Sequence, residues 1–186
     1  QTLSSEYRFI DANKPNSDFK IIQEREEHHE YSVYHYGDYF YILTNYKAKN
    51  FRLMKTLVEK PEKDNWQEVI GHDNNTLIEG IDIFSDYLVV EERKSGLTHI
   101  KIIKWDDNTE YYVEFNDPAY SVSTFANIEF NTTELRFNYT SLTTPSSIFD
   151  LNMKTKKRKL LKQTEVLDNS FSPENYVSKR YYATAR

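Results

Sequence analysis

Three stretches of this chain recur at a fixed spacing, and that spacing limits the folds open to it. YFYILTN begins at Tyr39, YLVVEER at Tyr87 and LRFNYTS at Leu135, two successive steps of 48 residues. A polar turn and another strand-like run follow each copy; in the third, LRFNYTS and SSIFDLNM flank a Thr-Thr-Pro turn. A period near this length marks an array of like units, commonly a propeller of four-stranded blades. Aromatic residues make up 15% of the sequence, with 15 Tyr and 11 Phe. They point the same way, because aromatic and β-branched side chains suit a pleated, half-buried surface.

The period organises the 186 residues into units. Residues 1–30 read as the outer half of one blade, with strands Glu6–Ala12 and Asp18–Glu26 about the turn NKPNS. Residues 31–70 read as a blade with strands Tyr31–Tyr36, Tyr39–Asn45, Phe51–Val58 and Trp66–Ile70. Residues 79–115 form the next, with Glu79–Phe84, Tyr87–Arg93, Thr98–Trp105 and Tyr111–Phe115. Residues 120–163 form the last, with Tyr120–Asn131, Glu134–Ser141, Ser147–Met153 and Lys156–Gln163, and a bulge or break expected near Ala126-Asn127. KKRKLLKQTEVL could be drawn as an amphipathic helix, but the register makes its first half a fourth strand. YFYILTN and YLVVEER are apolar on both alternating faces, as in a sheet covered on two sides. The fold class is therefore all-β: a partial β-propeller of about three and a half four-stranded antiparallel blades.

Residues 164–186 read as a linker, in which YVSKRYYATA is strand-like after a Ser-Pro turn. QTLSSEYRF starts in mid-pattern without Met, so an excised piece of a longer protein is expected. A net charge of −5 argues against a general nucleic-acid binder. Without cysteine there is no disulfide or thiolate metal site. No apolar run approaches the length that spans a bilayer, so no membrane partner is expected.

Strands alternate in direction within a blade. NYKAKN, ERKSGLT and SLTTPSS should therefore share one face with the links GHDNNT and NDPAY and with the exit from the last blade. Gly37-Asp38 and Ser85-Asp86 should lie on the opposite face.

TSLTTPSSIFDLNM, KRKLLKQTEVL and ENYVSKRYYATAR, in that order, resemble the end of the propeller and the entry to the catalytic domain in oligopeptidase B-type members of the prolyl oligopeptidase family of serine peptidases. EYSVYHYGDYFYILTNYKAKNFRL and YLVVEERKSGL extend the resemblance upstream over nearly the whole chain. It implies a seven-bladed propeller capping an α/β-hydrolase domain with a Ser–Asp–His triad. It also implies short basic peptides, cut after Lys or Arg, as substrates, with the propeller as a size filter. The chain departs from the family pattern in having no G-x-S-x-G elbow. No catalytic, cofactor-binding or metal-binding residue is carried onto it, and no cofactor is expected.

The candidate site is a surface for the missing catalytic domain: Glu91, Glu92 and Arg93 at a strand end, and Ser141, Leu142, Thr143, Thr144 and Pro145 in the turn of the last blade. Other clusters have plainer readings. His28 and His29 should point to opposite faces, which with His35 makes a poor zinc set. DDNTE at Asp106–Glu110 reads as a hairpin turn rather than a calcium loop. KTKKRK at Lys154–Lys159 reads as a solvated edge. Asn74, Asn131 and Asn138 head N-x-S/T triplets, with no sign of secretion. The competing functions are a stand-alone propeller scaffold, and a β-sandwich or sugar-binding module, which the exact repeat disfavours. The exposed flanks of an open array are expected to be apolar and to drive self-association.

Overall fold

The structure, a computed structural model, describes residues 3–168 and 170–184. The parts of the expected half-blade and linker at 1–2, 169 and 185–186 lie outside the described residues. The chain divides into two compact units, Gln1–Ile78 and Glu79–Arg186. Among the described residues the strands form three four-stranded sheets and one two-stranded sheet.

In the first unit, β1 (Tyr7–Phe9) pairs antiparallel with β2 (Lys20–Gln23). Both are shorter than expected, because Asp11 closes turns on the way between them. Its carbonyl accepts from Lys14 N at 2.8 Å and its side chain from Asn13 N at 2.9 Å. The first full sheet runs in chain order through β3 (Tyr31–Tyr36), β4 (Tyr39–Thr44), β5 (Arg52–Leu57) and β6 (Gln67–Ile70). Gly37 opens the β3–β4 turn at φ +58°, a conformation that a two-residue hairpin favours and that glycine adopts without steric cost. Phe40 through Thr44 are all buried, on both faces of β4. Ile22, Tyr31, Phe40, Ile42, Met54 and Trp66 make the core of this unit. The Tyr31 hydroxyl donates to Gln23 O at 2.7 Å and accepts from Tyr7 N at 2.9 Å, which ties the two-stranded sheet to the larger one.

The second sheet has β7 (Thr76–Ile83), β8 (Tyr87–Lys94), β9 (Leu97–Lys104) and β10 (Glu110–Tyr112). The third has β11 (Tyr120–Thr124), β12 (Glu134–Ser141), β13 (Ser147–Asn152) and β14 (Arg158–Gln163). The starts of β4 and β8 fall on the two tyrosines that define the 48-residue period, and β12 starts one residue before the third mark. Val89, Ile100 and Ile102 pack with Leu135, Phe137 and Leu151 in the core of the second unit. Each such fully buried side chain contributes about 1.5–3 kcal/mol.

Two expectations are corrected here and a third is met in part. The first strand of the third sheet stops at Thr124 instead of continuing to Asn131, so the break expected near Ala126-Asn127 ends the strand rather than interrupting it. Asn127 takes over the ladder: its Oδ1 accepts from Arg136 N at 2.8 Å and its Nδ2 donates to Phe125 O at 2.9 Å. The chain then bows outward and leaves Ile128 92% exposed. The linker run YVSKRYYATA forms no strand among its described residues, 176–184. Finally, the flank of the last sheet is not apolar. Leu135, Phe137 and Tyr139 of β12 face the core, whereas the alternate Arg136, Asn138 and Thr140 do not. On that other side Arg136 makes a two-point contact with Asp150, at 2.8 and 3.0 Å.

Candidate functional site

The antiparallel order within the second unit puts the β8–β9 turn, the β10–β11 link, the β12–β13 turn and the exit from β14 at one end of its sheets. In the first unit the corresponding loops meet through Asn50, whose Nδ2 donates to the carbonyls of Asp73 and Asn74 at 3.0 and 2.9 Å.

The acidic-basic run lies inside β8, which continues to Lys94, rather than at its end. Its three charges go to three places. Glu91 accepts from the Thr124 backbone N–H. Glu92 is buried; its carboxylate pairs with the Lys101 ammonium at 2.6 Å and accepts from the Tyr112 hydroxyl at 2.7 Å. Arg93 holds Glu79 through two contacts, at 2.8 and 3.2 Å. Every one of these charges is engaged within the second unit, Glu92 on one side of the strand and Glu91 and Arg93 on the other.

The β12–β13 turn is different. Ser141 Oγ accepts from the backbone N–H groups of Thr143 and Thr144 at 3.2 and 2.9 Å, a side-chain-closed turn. Ser147 Oγ donates to Pro145 O at 2.6 Å. Leu142, at the tip, is 82% exposed. Asp117, from the β10–β11 link, fixes the turn from outside: Thr143 and Thr144 hydroxyls donate to it at 3.2 and 3.5 Å, and Tyr139 donates as well. Burial pushes the Asp117 carboxyl up, but the hydroxyls of Tyr139, Ser141, Thr143 and Thr144 outweigh it and hold the group below its ordinary value. The turn is thereby tied both to its own strand end and to the link that precedes β11.

Asp117 was absent from the sequence-derived candidates. The Asp-Pro step at 117–118 is a turn signal, but its partners lie 22 to 27 residues away and no local pattern names them.

The other clusters resolve locally. His28 is exposed at φ +61°, while His29 is buried with Nε2 3.0 Å from Thr44 Oγ1 and its ring beside Tyr31, Tyr46 and Trp66. Burial pushes the His29 pKa down, against the pull of Glu26. Among the described residues no three His, Asp or Glu side chains converge in a metal-holding group. DDNTE is a hairpin turn: Asp107 accepts from the N–H and hydroxyl of Thr109, with Asn108 at φ +55°. KTKKRK runs from the β13–β14 turn into β14, every residue of which is exposed.

The chain matches the family described as the prolyl oligopeptidase N-terminal beta-propeller domain over residues 1–164. It is 35% identical over 186 residues to the dipeptidyl aminopeptidase BI of Pseudoxanthomonas mexicana, covering 100% of this chain and 25% of that protein. It is 28% identical to the protease 2 of Moraxella lacunata, covering 98% of this chain and 26% of that one. The structure of oligopeptidase B from Leishmania major superposes with a TM-score of 0.84 at 28% identity, over 94% of this chain and 26% of that chain. The chain thus spans about a quarter of the length of these relatives. It belongs to the prolyl oligopeptidase family, as part of that family's N-terminal β-propeller domain.

Proposed function

We propose that this chain is the non-catalytic propeller portion of a serine peptidase that cuts short peptides after Lys or Arg. The triad and the acidic groups that recognise the basic side chain lie in a further α/β-hydrolase domain. The propeller covers that domain and admits only short, flexible substrates. The boundaries that follow are half a blade at 1–30, blades at 31–70, 79–115 and 120–163, and a linker from 164.

The observation that carries this reading is the Ser141–Ser147 turn, held in one shape by Asp117 on the face where the chain leaves β14. A preformed turn with an exposed leucine at its tip suits a docking contact better than a solvent loop does. Glu91, Glu92 and Arg93 are weaker docking groups, since their charges are already paired. The test uses a protein of the relatives' full length. Leu142→Asp is expected to loosen the domains and to let longer peptides be cut, with the cleavage of a short Arg-ended chromogenic peptide little changed. An unaltered size limit would count against the docking role. Turnover of that peptide by the 186-residue chain alone would overturn the non-catalytic assignment.

A second reading, release of N-terminal dipeptides, is favoured by the 35% identity to a dipeptidyl aminopeptidase. One substrate separates the two: a peptide with a blocked N-terminus and an internal arginine is cut only under the first. For the isolated chain, self-association would use Tyr7 and Ile21 of the two-stranded sheet with the adjoining Phe19, and the loop residues Phe125, Ile128 and Phe130, all exposed apolar groups, rather than the polar flank of the last sheet.

A further inference from the structure

Two charges of the second unit stand without a counter-ion. Asp117 lies in the β10–β11 link and Arg158 opens β14. Among the described residues neither forms an ion pair. Asp117 is held by neutral hydroxyls. Arg158 donates from Nη2 to the carbonyl of Glu114, and its guanidinium lies over the Phe115 ring, 4.7 Å from the centroid. One side of Arg158 stays exposed. Burial of the rest pushes its pKa down, against the pull of Tyr139 and Glu114. A cation drawn partly out of water in this way gains from a partner of opposite sign.

Both charges line one cleft of about 180 Å³, and the rest of its lining is Phe115, Asn116, Tyr139 and Phe149. The rings are fixed by one another: Phe115 stacks on Tyr139, and Phe149 stacks on Phe137. A guanidinium laid on a ring presents its N–H edge sideways, the arrangement that grips a carboxylate at two points. Hydroxyl donors leave the charge of Asp117 uncancelled, so it still attracts a cation.

A ligand that satisfies this lining carries a carboxylate, a cation and an apolar stem that joins them. We propose that the cleft binds the C-terminal residue of a peptide that ends in arginine or lysine. The free carboxylate meets Arg158, the basic side chain turns toward Asp117, and the methylene stem lies along Phe115 and Phe149, as such stems do on apolar surfaces. The cleft is smaller than the roughly 300–1,000 Å³ of sites for drug-sized ligands, so it admits one residue rather than a longer segment. A peptide end is favoured over a free amino acid, because the α-ammonium of the latter sits next to its carboxylate and would face the Arg158 cation. Peptides of this kind are what the peptidase proposed above would release. The source of the ligand rests on that reading; the site itself needs only this chain.

The site is tested by titration calorimetry on the 186-residue chain with N-acetyl-arginine, which carries both charges and no α-ammonium. A Kd of about 1 mM is expected for a ligand of this size. N-acetyl-argininamide lacks the carboxylate and N-acetyl-norleucine lacks the cation; each is expected to bind at least about tenfold more weakly. Arg158→Gln and Asp117→Asn are each expected to weaken N-acetyl-arginine by about tenfold or more. Asp117→Asn should leave the weak binding of N-acetyl-norleucine unchanged, which separates a lost charge from a loosened turn. Arg136→Ala, whose cation already pairs with Asp150 away from the cleft, should leave every affinity unchanged. Equal affinity for the three ligands, or full affinity for N-acetyl-arginine in Arg158→Gln, would overturn the site, as would no binding at about 10 mM. Tighter binding of free arginine than of N-acetyl-arginine would overturn the peptide end. Calorimetry requires no second domain and no turnover, so a failed cleft and a failed peptidase reading give different results.

Discussion

Tyr139 donates its phenolic hydrogen to the Asp117 carboxylate, joining β12 to the link that precedes β11. The phenol also stacks on Phe115, with centroids 4.9 Å apart and rings 11° from parallel. Burial first, then this hydrogen bond, pushes the Tyr139 pKa up, while the same bond helps hold Asp117 low.

Asp117→Asn is expected to destabilise the chain by about 1–2 kcal/mol, the range for hydrogen bonds to a charged acceptor reduced for partial exposure. Urea unfolding measures it. Because the folded-state pKa is lowered, the contribution is full above the ordinary aspartate value and is lost as pH falls through the lower folded value. The difference between the two proteins should therefore shrink in acid. A difference that persists unchanged in strong acid would show that the carboxylate is not the cause.

Tyr111 gives the opposite pH signature. Burial pushes its phenol up to about 12, and its hydroxyl donates to Met153 O at 2.8 Å. A raised folded-state pKa means stability that is full below the ordinary tyrosine value, near 10, and lost as pH climbs toward about 12. Alkaline absorbance titration should show late-ionising tyrosines, Tyr139 among them, with one fewer in Tyr111→Phe. If all tyrosines ionise at the ordinary value, the assignment is wrong.

Glu92 and Lys101 are a buried pair, with side chains 3 and 10% exposed. Glu92→Ala leaves the Lys101 ammonium uncompensated and is expected to cost about 3–5 kcal/mol. Replacing both by Met should restore much of that, because two buried charges are expensive to desolvate. A double variant as unstable as the single one would mean that packing, not charge, sets the loss.

Phe137 and Arg136 are neighbours on β12 that face opposite ways. Phe137→Ala is expected to cost about 3–5 kcal/mol, since it empties a fully buried site stacked on Phe149. Arg136→Ala breaks only an exposed ion pair and should cost less than about 1 kcal/mol. Equal losses would mean that the flank carrying Arg136 is covered in solution.

The repeat at Tyr39, Tyr87 and Leu135 was enough to locate the second strand of each sheet, because strand position follows from period and apolar content. Turn chemistry placed Gly37-Asp38 and the DDNTE hairpin, since those preferences act within four or five residues. The fate of Glu91-Glu92-Arg93 was not legible. Adjacent charges look alike in sequence, yet strand geometry sends one to Thr124, one to Lys101 and one to Glu79. The strand length pointed to a break near Ala126-Asn127, but local pattern could not show its cause, the capture by Asn127 of the backbone of Arg136, nine residues on.

The sequence by itself thus determined an array of antiparallel four-stranded sheets, their spacing and most of their turns, all short-range properties of propensity and periodicity. Only the tertiary structure decided that Asp117 holds the Ser141–Ser147 turn and that Arg180 meets Ser95. Those contacts join residues 22 to 85 positions apart, and they form only after the sheets have brought their ends together on one face.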